Sequence, residues 1–439
     1  MDTNTDALPL QLVRRAATAT FMVELEAYFT AVLDGKLTRG IADTPIPPDH
    51  LERAAVEDCR TISAMVALAR QSVYQVTWDA DDYANDVSNT ALPNPEVEAR
   101  LMAKYPPLIP IEEVTRRHDD NLPIILGPAI VTDVKGRILL WSLPNVLSDS
   151  RQTKLLRATR LLEGQMTVDE PEPGTKPTKG WRTSATFYEK NGQWISGSTL
   201  LYPAGYQQGH KSAKVNPTPS AALKSTRAAD WMAAFEENGG ILDGVLAITH
   251  PELYDSAQAV MKTIWREHAT VIINRSTLGH RDCHGAPGWY DLLVTLGNYG
   301  KTAVLELRGL GISIPYDAGS IVPLSSKLLV HGVPKVRGER ICYAFYMHST
   351  VMHRFHIAVD SVTYSELPRS RDEVPEVLDA NTIAGRLRGM GLAADGGPES
   401  AGRSGEAGGS AEDAGTDEDS DSEHSESPGG VADDVEMAD

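Results

Sequence analysis

The stretch that decides the fold covers residues 269–356. It reads ATVIINRSTLGHRDCHGAPGWYDLLVTLG over 269–297, KTAVLELRGLGISIPYDAGSIVPLSSKLLVHGV over 301–333 and PKVRGERICYAFYMHSTVMHRFH over 334–356. Short apolar runs of strand length recur here between Gly, Pro, Asn and Asp residues, and no helical period separates them. Because no crossover helices separate these runs, we predict a double-sheet jelly roll rather than a βαβ sheet.

Helical periodicity dominates the chain before this stretch. Apolar side chains recur at spacings of three and four over 9–35 and 50–76, and shorter helical patterns cover 96–104, 145–165, 228–237 and 251–267. Residues 128–142 place two β-rich runs around Lys135 and Gly136, which predicts a hairpin. The predicted fold class is therefore α+β, with a double-stranded β-helix (jelly-roll) core flanked by helices.

Composition divides the chain into four segments. We predict an N-terminal helical region at 1–120 and a main domain at 121–365, with its jelly-roll core at about 269–356. A C-terminal helix or linker follows at 366–390, and a disordered acidic tail at 391–439. The tail contains fifteen acidic residues and a single basic one, Arg403. Such a composition buries too little apolar surface to offset the entropy of folding.

Charge is distributed unevenly along the chain. Its formal net charge is −19, of which the tail contributes −14, whereas residues 147–227 carry a net charge of +6. The basic residues of 147–227 interleave with aromatic ones such as Trp181, Tyr188 and Trp194, a mixture that suits phosphate contact and base stacking. A solvated basic face over core aromatics explains the pattern equally well. We expect the tail to bind basic proteins or to compete with nucleic acid for this segment.

Several function classes are excluded at this stage. The three cysteines, Cys59, Cys283 and Cys342, are far apart, which predicts neither a disulfide framework nor a cysteine-bound zinc ion. No segment reads as a run of eighteen or so uncharged apolar residues, so we expect no membrane partner. The first twelve residues lack the features of a secretory signal, which leaves the cytoplasm or nucleus. We expect a monomer, because no heptad run or exposed apolar stripe is evident.

The candidate metal ligands are His280, Asp282 and His331. Residues i and i+2 of a strand face the same side, so His280 and Asp282 can present an imidazole and a carboxylate to one point. The His-x-acid pair alone is weak, because five occur in the chain, beginning at His50, His118, His250, His280 and His424. Of the five, the pair at His280 ends a predicted strand in the β-rich stretch.

A third ligand and an anion partner follow in order. His331 lies 49 residues after Asp282 on the run KLLVHGV, and Arg340 follows nine residues later on the next strand. Two imidazoles and one carboxylate leave three positions open on an octahedral ion, as in non-haem Fe(II) oxygenases. A guanidinium on an apolar strand beside such an ion needs an anionic partner, which a dicarboxylate cosubstrate supplies.

At these residues the chain resembles a known family. The run 274–347, with GHRDCHG, KLLVHGV and GERICYAFYM, is similar to the catalytic core of the TET/JBP family of 2-oxoglutarate and Fe(II)-dependent nucleic-acid dioxygenases, in particular its compact fungal type. The resemblance implies that His280, Asp282 and His331 are the catalytic iron ligands. It also implies that Arg340 binds the distal carboxylate of 2-oxoglutarate, and we assign Asn274 to cosubstrate binding beside it.

The resemblance implies a methylcytosine dioxygenase located in the nucleus. This enzyme would use 2-oxoglutarate and O2 as cosubstrates. It would oxidise 5-methylcytosine, flipped out of methylated duplex DNA, to 5-hydroxymethylcytosine, and further oxidation of that product stays open. Three alternatives stay open: an N6-methyladenine DNA demethylase, a protein or small-molecule hydroxylase, and a catalytically silent DNA-binding module. We also expect Trp289 and Tyr290 to line the active site or to pack in the core.

Overall fold

The computed structural model describes residues 10–37, 44–87, 90–108, 122–169, 181–190, 192–202, 218–264, 269–300, 303–356, 362–367, 382, 385 and 386. Within these ranges the helices are α1 (Leu10–Leu33), α2 (Arg53–Ala69), α3 (Ala80–Asp86), α4 (Pro95–Lys104), α5 (Asp149–Arg160), α6 (Thr226–Thr249), α7 (Pro251–Ile264) and α8 (Ser349–Arg354). The predicted acidic tail at 391–439 and most of the segment 366–390 lie outside the described residues.

The strands fall into a large sheet and a small sheet. In chain order they are β1 (Val73–Gln75), β2 (Ala129–Thr132), β3 (Ile138–Ser142), β4 (Gly197–Leu201), β5 (Ala269–Ile273), β6 (Thr277–His280), β7 (Asp291–Gly297), β8 (Val304–Leu307), β9 (Ile312–Pro315), β10 (Ile321–Leu324), β11 (His331–Val333) and β12 (Arg340–Phe345). The large sheet has the order β1-β2-β3-β10-β7-β12-β5-β4, and the small sheet has the order β6-β11-β8-β9.

Strands β5 to β12 distribute between the two sheets, which is the topology of a jelly roll. β5, β7, β10 and β12 lie in the large sheet, whereas β6, β8, β9 and β11 form the small one. All pairs within each of these two sets are antiparallel. The predicted double-stranded β-helix core is therefore confirmed.

Both faces of the large sheet are covered, which explains the continuous apolar runs of its strands. Every residue of β10 and the first six residues of β7 are buried. Strands that are covered on both sides lose the alternation of apolar and polar residues. The hairpin predicted around Lys135 and Gly136 is present as β2 and β3, and Gly136 adopts a left-handed φ of 85° in its turn.

The predicted helix over 50–76 is too long at its C-terminal end. Helix α2 ends at Ala69, and β1 follows it and pairs in parallel with β2. Val73 and Tyr74 are residue types that favour an extended backbone. Pairing with Ile130 and Val131 of β2 stabilises this extended conformation.

The predicted helix over 228–237 is too short, because α6 continues to Thr249 through Asn238, Gly239 and Gly240. The side chain of Asn238 accepts a hydrogen bond from Arg151 at 2.8 Å. A Cβ on Gly244 would overlap Met22 of α1, so the small residues of α6 allow a close helix contact.

The N-terminal helices share one hydrophobic core with the large sheet. Met22 and Leu25 of α1, Ile62 of α2, Val245 of α6 and Val294 of β7 belong to a single buried cluster. Up to Arg386 the described residues belong to one compact unit. The predicted boundaries at 120, 365 and 390 stay predictions.

Helix α1 is long and apolar enough to cross a membrane, by length and composition alone. It is not an uncharged run, because it contains Arg14, Arg15, Glu24 and Glu26. Core helices of soluble proteins pass the same test, and α1 buries Phe21, Met22, Leu25 and Phe29 in the shared cluster. Arg15 of α1 donates two hydrogen bonds of 2.8 Å to the two carboxylate oxygens of Asp243 in α6.

Candidate active site

The three predicted metal ligands converge between two neighbouring strands of the small sheet. His280 is the last residue of β6 and His331 is the first residue of β11, and these two residues are direct cross-strand partners. Asp282 follows β6 by two residues, and its amide donates to the carbonyl of Ser326 at 3.1 Å. The potential ligand atoms of the three side chains all lie within 4.8 Å of one another.

Each imidazole is oriented by its own strand. Nδ1 of His280 lies 2.9 Å from the carbonyl oxygen of Leu278, and Nδ1 of His331 lies 3.0 Å from that of Leu329. Because a carbonyl only accepts hydrogen bonds, each Nδ1 donates and each Nε2 keeps its lone pair for a metal. The two Nε2 atoms lie 3.5 and 3.6 Å from Oδ2 of Asp282.

The electrostatic environment of His280, Asp282 and His331 favours a bound cation in place of their protons. Burial opposes ionisation of Asp282, but hydrogen bonds with His280 and His331 outweigh it and hold the pKa of Asp282 well below its usual range. Burial lowers the pKa of His280, and the neighbouring His331 lowers it further. For His331, the effect of burial is exceeded by Asp282, which raises its pKa. The donor set of two imidazoles and one ionised carboxylate fits Fe(II) and leaves three octahedral positions open.

Arg340 begins β12 in the large sheet, and its side chain is buried. Its Nη2 donates to the carbonyl of Arg275, and its guanidinium lies 5.9 Å from the ring centroid of Tyr316. Within the described ranges, no carboxylate forms an ion pair with Arg340. A buried guanidinium in this state suits a carboxylate ligand, so the residues present fit 2-oxoglutarate as well as iron.

Asn274 lies next to Arg340 but uses its amide on protein partners. Its Oδ1 accepts from the backbone amide of Arg340 at 2.9 Å, and its Nδ2 donates to Oγ of Ser196 at 3.3 Å. Its φ of 57° is left-handed, a conformation that asparagine tolerates better than most residues. Asn274 therefore holds the start of β12, and its predicted contact with cosubstrate stays a prediction.

Arg182 and Trp181 are neighbours of the site that the sequence interpretation missed. Nη2 of Arg182 donates to Oδ1 of Asp282 at 2.8 Å, and the ring of Trp181 packs edge-on against His280 with centroids 5.1 Å apart. Both residues lie about a hundred positions before the metal ligands. Their spacing carries no periodic signal, and only their charge and aromaticity were visible in the sequence.

Several cations of the basic segment at 147–227 pair with acidic side chains of the fold. Arg151 is buried and pairs with Asp58, and Arg182 pairs with Asp282. Lys154 and Arg160 also form ion pairs with acidic side chains. The exposed cations among the described part of this segment include Arg157, Lys224 and Arg227. Four described cations of the segment thus bind acidic side chains and others are exposed, so its role as a nucleic-acid surface stays a prediction.

Three ring side chains that follow the candidate metal ligands in the sequence, His284, Tyr346 and His348, pack together as an aromatic wall. The rings of His284 and His348 stack with centroids 4.9 Å apart and an interplanar angle of 23°, and Tyr346 packs edge-on against His348 at 5.1 Å. The loop that carries His284 begins directly after Asp282, and the amide of Ser349 donates to the carbonyl of His284 at 3.0 Å.

Other residues near the ligands belong to the core. Trp289 and Tyr290 are buried in the main hydrophobic cluster, and the Tyr290 hydroxyl donates to the carbonyl of Ile138 at 2.9 Å. Core packing, one of their two predicted roles, is what the structure shows. Asp291 begins β7 and is also buried, and burial together with the charge of Asp282 raises the pKa of Asp291 to about 8.

Comparison with known proteins identifies the domain that contains this site. Residues 202–349 match the family model Tet_JBP, described as the oxygenase domain of the 2OGFeDO superfamily. No curated protein matches the chain. A solved structure of NgTET1 in complex with 5mC DNA is similar over 54% of this chain and 82% of its own, with 13% identity and a TM-score of 0.37.

A second similar structure is the viral collagen prolyl hydroxylase vCPH from Paramecium Bursaria Chlorella virus-1 in its 2OG complex. It covers 47% of this chain and 94% of its own, with 10% identity and a TM-score of 0.21. The family-model match includes Arg340 and the three side chains that the structure brings together, His280, Asp282 and His331. Residues 202–349 are therefore identified as an oxygenase domain of the Tet_JBP family.

Proposed function

We propose that this protein is an Fe(II) and 2-oxoglutarate-dependent dioxygenase that oxidises the methyl group of 5-methylcytosine in DNA to 5-hydroxymethylcytosine. The observation that carries the proposal is the convergence of His280, Asp282 and His331, with their ligand atoms within 4.8 Å of one another, in a Tet_JBP oxygenase domain. A nuclear location, where a chromosomal substrate lies, is part of the proposal.

The residues of this chain divide the work of such a reaction. His280, Asp282 and His331 would hold the iron on one side and leave the other side open. Arg340 would orient 2-oxoglutarate through its distal carboxylate, because a guanidinium and a carboxylate form two parallel hydrogen bonds. When bound, iron and 2-oxoglutarate supply an oxidant for the methyl C–H bond. The protein's contribution is to place that methyl group beside the metal.

The aromatic wall supports a planar substrate. The stacked pair His284 and His348, with Tyr346 at its edge, offers rings against which a base could stack, and His284 follows Asp282 by two residues in the chain. Stacking on aromatic side chains stabilises an extruded base by about 1–3 kcal/mol, which offsets part of the cost of flipping it out of the duplex. A protein or small-molecule substrate would not require this wall.

The proposal is tested by mass spectrometry of nucleosides. Duplex DNA that contains 5-methylcytosine is incubated with the protein, Fe(II) and 2-oxoglutarate, and Asp282→Ala serves as the inactive control. We expect 5-hydroxymethylcytosine with the wild-type protein only. The same assay on DNA with N6-methyladenine detects the demethylase alternative, as loss of the methyl group.

Two other outcomes contradict the proposal. Succinate formation in the presence of a peptide or small molecule, without any change in DNA bases, would favour a hydroxylase of those substrates. Salt-dependent DNA binding without base oxidation, equal for wild type and Asp282→Ala, would favour the silent DNA-binding module.

A further inference from the structure

The side chain of Arg182 contacts only one of the two carboxylate oxygens of Asp282. Nη2 of Arg182 lies 2.8 Å from Oδ1, whereas Oδ2 lies 3.5 and 3.6 Å from Nε2 of His280 and His331. The two oxygens therefore have different partners. One accepts a charge-assisted hydrogen bond, and the other faces the two imidazoles that would bind the metal.

Neighbouring groups hold Arg182 in this position. Its carbonyl oxygen accepts from the Tyr188 hydroxyl at 2.8 Å and from Nη1 of Arg275 at 3.0 Å. Its guanidinium lies 4.9 Å from the ring centroid of Trp181, and Trp181 in turn packs against His280. The short segment 181–188 thus touches both ligands of the His-x-Asp motif.

The contact with Arg182 acts on Asp282 more through the orientation it imposes on the carboxylate than through its electrostatic energy. The Arg182 side chain keeps 39% of its surface exposed, so solvent screens part of the attraction to Asp282. A hydrogen bond to Oδ1 nevertheless fixes the rotation of the carboxylate, because turning the group toward a bidentate contact would break that bond.

We propose that Arg182 is a positioning residue that keeps Asp282 a one-oxygen ligand of the metal. A carboxylate that bound through both oxygens would occupy one of the three octahedral positions left by two imidazoles and one carboxylate oxygen. A keto-acid chelate takes two positions and dioxygen takes one, so the reaction needs all three. This inference rests on the proposed function, and it extends the site to residues that precede the matched segment 202–349.

The test measures Mn(II) binding to the full-length protein in the absence of turnover, followed by the EPR signal of the free ion. Loss of a residue that orients a metal ligand weakens metal affinity about 10–100-fold, and we expect a change of that size for Arg182→Met. Arg182→Lys keeps one charged donor, so its affinity should lie between those of wild type and Arg182→Met.

A second readout reports the coordination directly. Water-proton relaxation counts the exchangeable waters on bound Mn(II), and we expect about three in the wild type and about two in Arg182→Met. The matched control is Arg308→Met, which removes another exposed arginine. Arg308 pairs with Glu306 at 2.9 Å and forms no ion pair with Asp282 among the described residues. Its affinity and water count should equal those of wild type.

The outcomes separate this inference from the proposed function. If the wild-type protein binds no Mn(II), the proposed function itself fails. If wild type and Arg182→Met bind Mn(II) with equal affinity and equal water count, the positioning role is wrong. If Mn(II) binding is unchanged but 2-oxoglutarate binding at saturating Mn(II) weakens, Arg182 contacts cosubstrate instead, which also overturns the inference. Should Arg182→Met not fold, the same comparison with Arg182→Lys decides.

Discussion

Arg281, the neighbour of two candidate metal ligands in the sequence, forms a two-point ion pair with Glu98. Nη1 and Nη2 of Arg281 donate to the two carboxylate oxygens of Glu98 at 2.5 and 2.8 Å, and Nη2 also lies 3.0 Å from the Tyr83 hydroxyl. Arg281 is the residue between His280 and Asp282, and its Nε donates to the carbonyl of Leu328 at 2.8 Å. Helix α4 therefore holds the central residue of the His-x-Asp motif through Glu98.

Removing this support should weaken both the fold and the metal site. Glu98→Ala leaves the buried Arg281 guanidinium without its counterion, which costs about 3 kcal/mol in the free energy of unfolding. Urea unfolding measures that loss, and Mn(II) binding should weaken in the same variant. Glu306→Ala, which removes the partner of the exposed Arg308, is the control and should change the unfolding free energy by about 0.5 kcal/mol or less. Equal losses in the two variants would show that Arg281 needs no counterion.

Arg340 should determine the affinity for 2-oxoglutarate without affecting that for metal. Arg340→Met removes the bidentate partner of the distal carboxylate, and we expect 2-oxoglutarate binding at saturating Mn(II) to weaken about 100-fold, or about 3 kcal/mol. Isothermal titration calorimetry measures both ligands separately. A loss of Mn(II) affinity with unchanged 2-oxoglutarate affinity would contradict the assignment of Arg340 as the carboxylate anchor.

Gly297, which pairs with Arg340 in the large sheet, should not tolerate a side chain. Its φ is 138°, and a Cβ at this position would overlap the carbonyl oxygen of Glu339. Gly297→Ala should therefore destabilise the protein by several kcal/mol, more than the roughly 1 kcal/mol that a left-handed φ alone costs. Gly136→Ala is the control, since Gly136 also has positive φ but open space around it. Similar melting temperatures for the two variants would contradict the steric argument.

Asp291 should make the metal-free protein less stable as pH rises. Its folded pKa of about 8 exceeds the value of about 3.9 expected in the unfolded chain, so the folded state binds this proton more tightly. The resulting stability is fully present below pH 4 and is lost progressively as pH rises to about 8, at up to about 1.4 kcal/mol per pH unit.

The measurement is urea unfolding in EDTA across this pH range, for wild type and Asp291→Asn. Asn cannot ionise, so the difference between the two proteins should grow in favour of Asp291→Asn as pH rises from 4 to 8. A difference that stays constant with pH would mean that Asp291 titrates alike in the folded and unfolded states.

The sequence was sufficient for the parts of the site that depend on local pattern. The strand period and the order of His280, Asp282, His331 and Arg340 predicted a jelly roll with these side chains at one end, and the structure brings the three metal ligands together. His280, His331 and Arg340 lie on short strands and Asp282 directly follows one, and short apolar runs bounded by turns predict such strands, so local signals suffice.

Contacts between distant segments could not be predicted in this way. Arg151 and Arg182 looked like phosphate contacts, yet each pairs with an acidic residue about a hundred positions away. A single charged residue has no period, so its partner emerges only when the helices and sheets pack. The same reason explains why β1 was assigned to a helix: its extended conformation comes from pairing with β2.

The two imidazoles of the site belong to the small sheet, whereas Arg340 belongs to the large one. A dicarboxylate bound at one end to Arg340 and at the other to a metal held by the imidazoles would link the two sheets of the jelly roll. Melting temperature should then climb with the logarithm of metabolite concentration once its dissociation constant is exceeded. Occupancy of the cosubstrate site would in this way set part of the free energy that keeps the two sheets together.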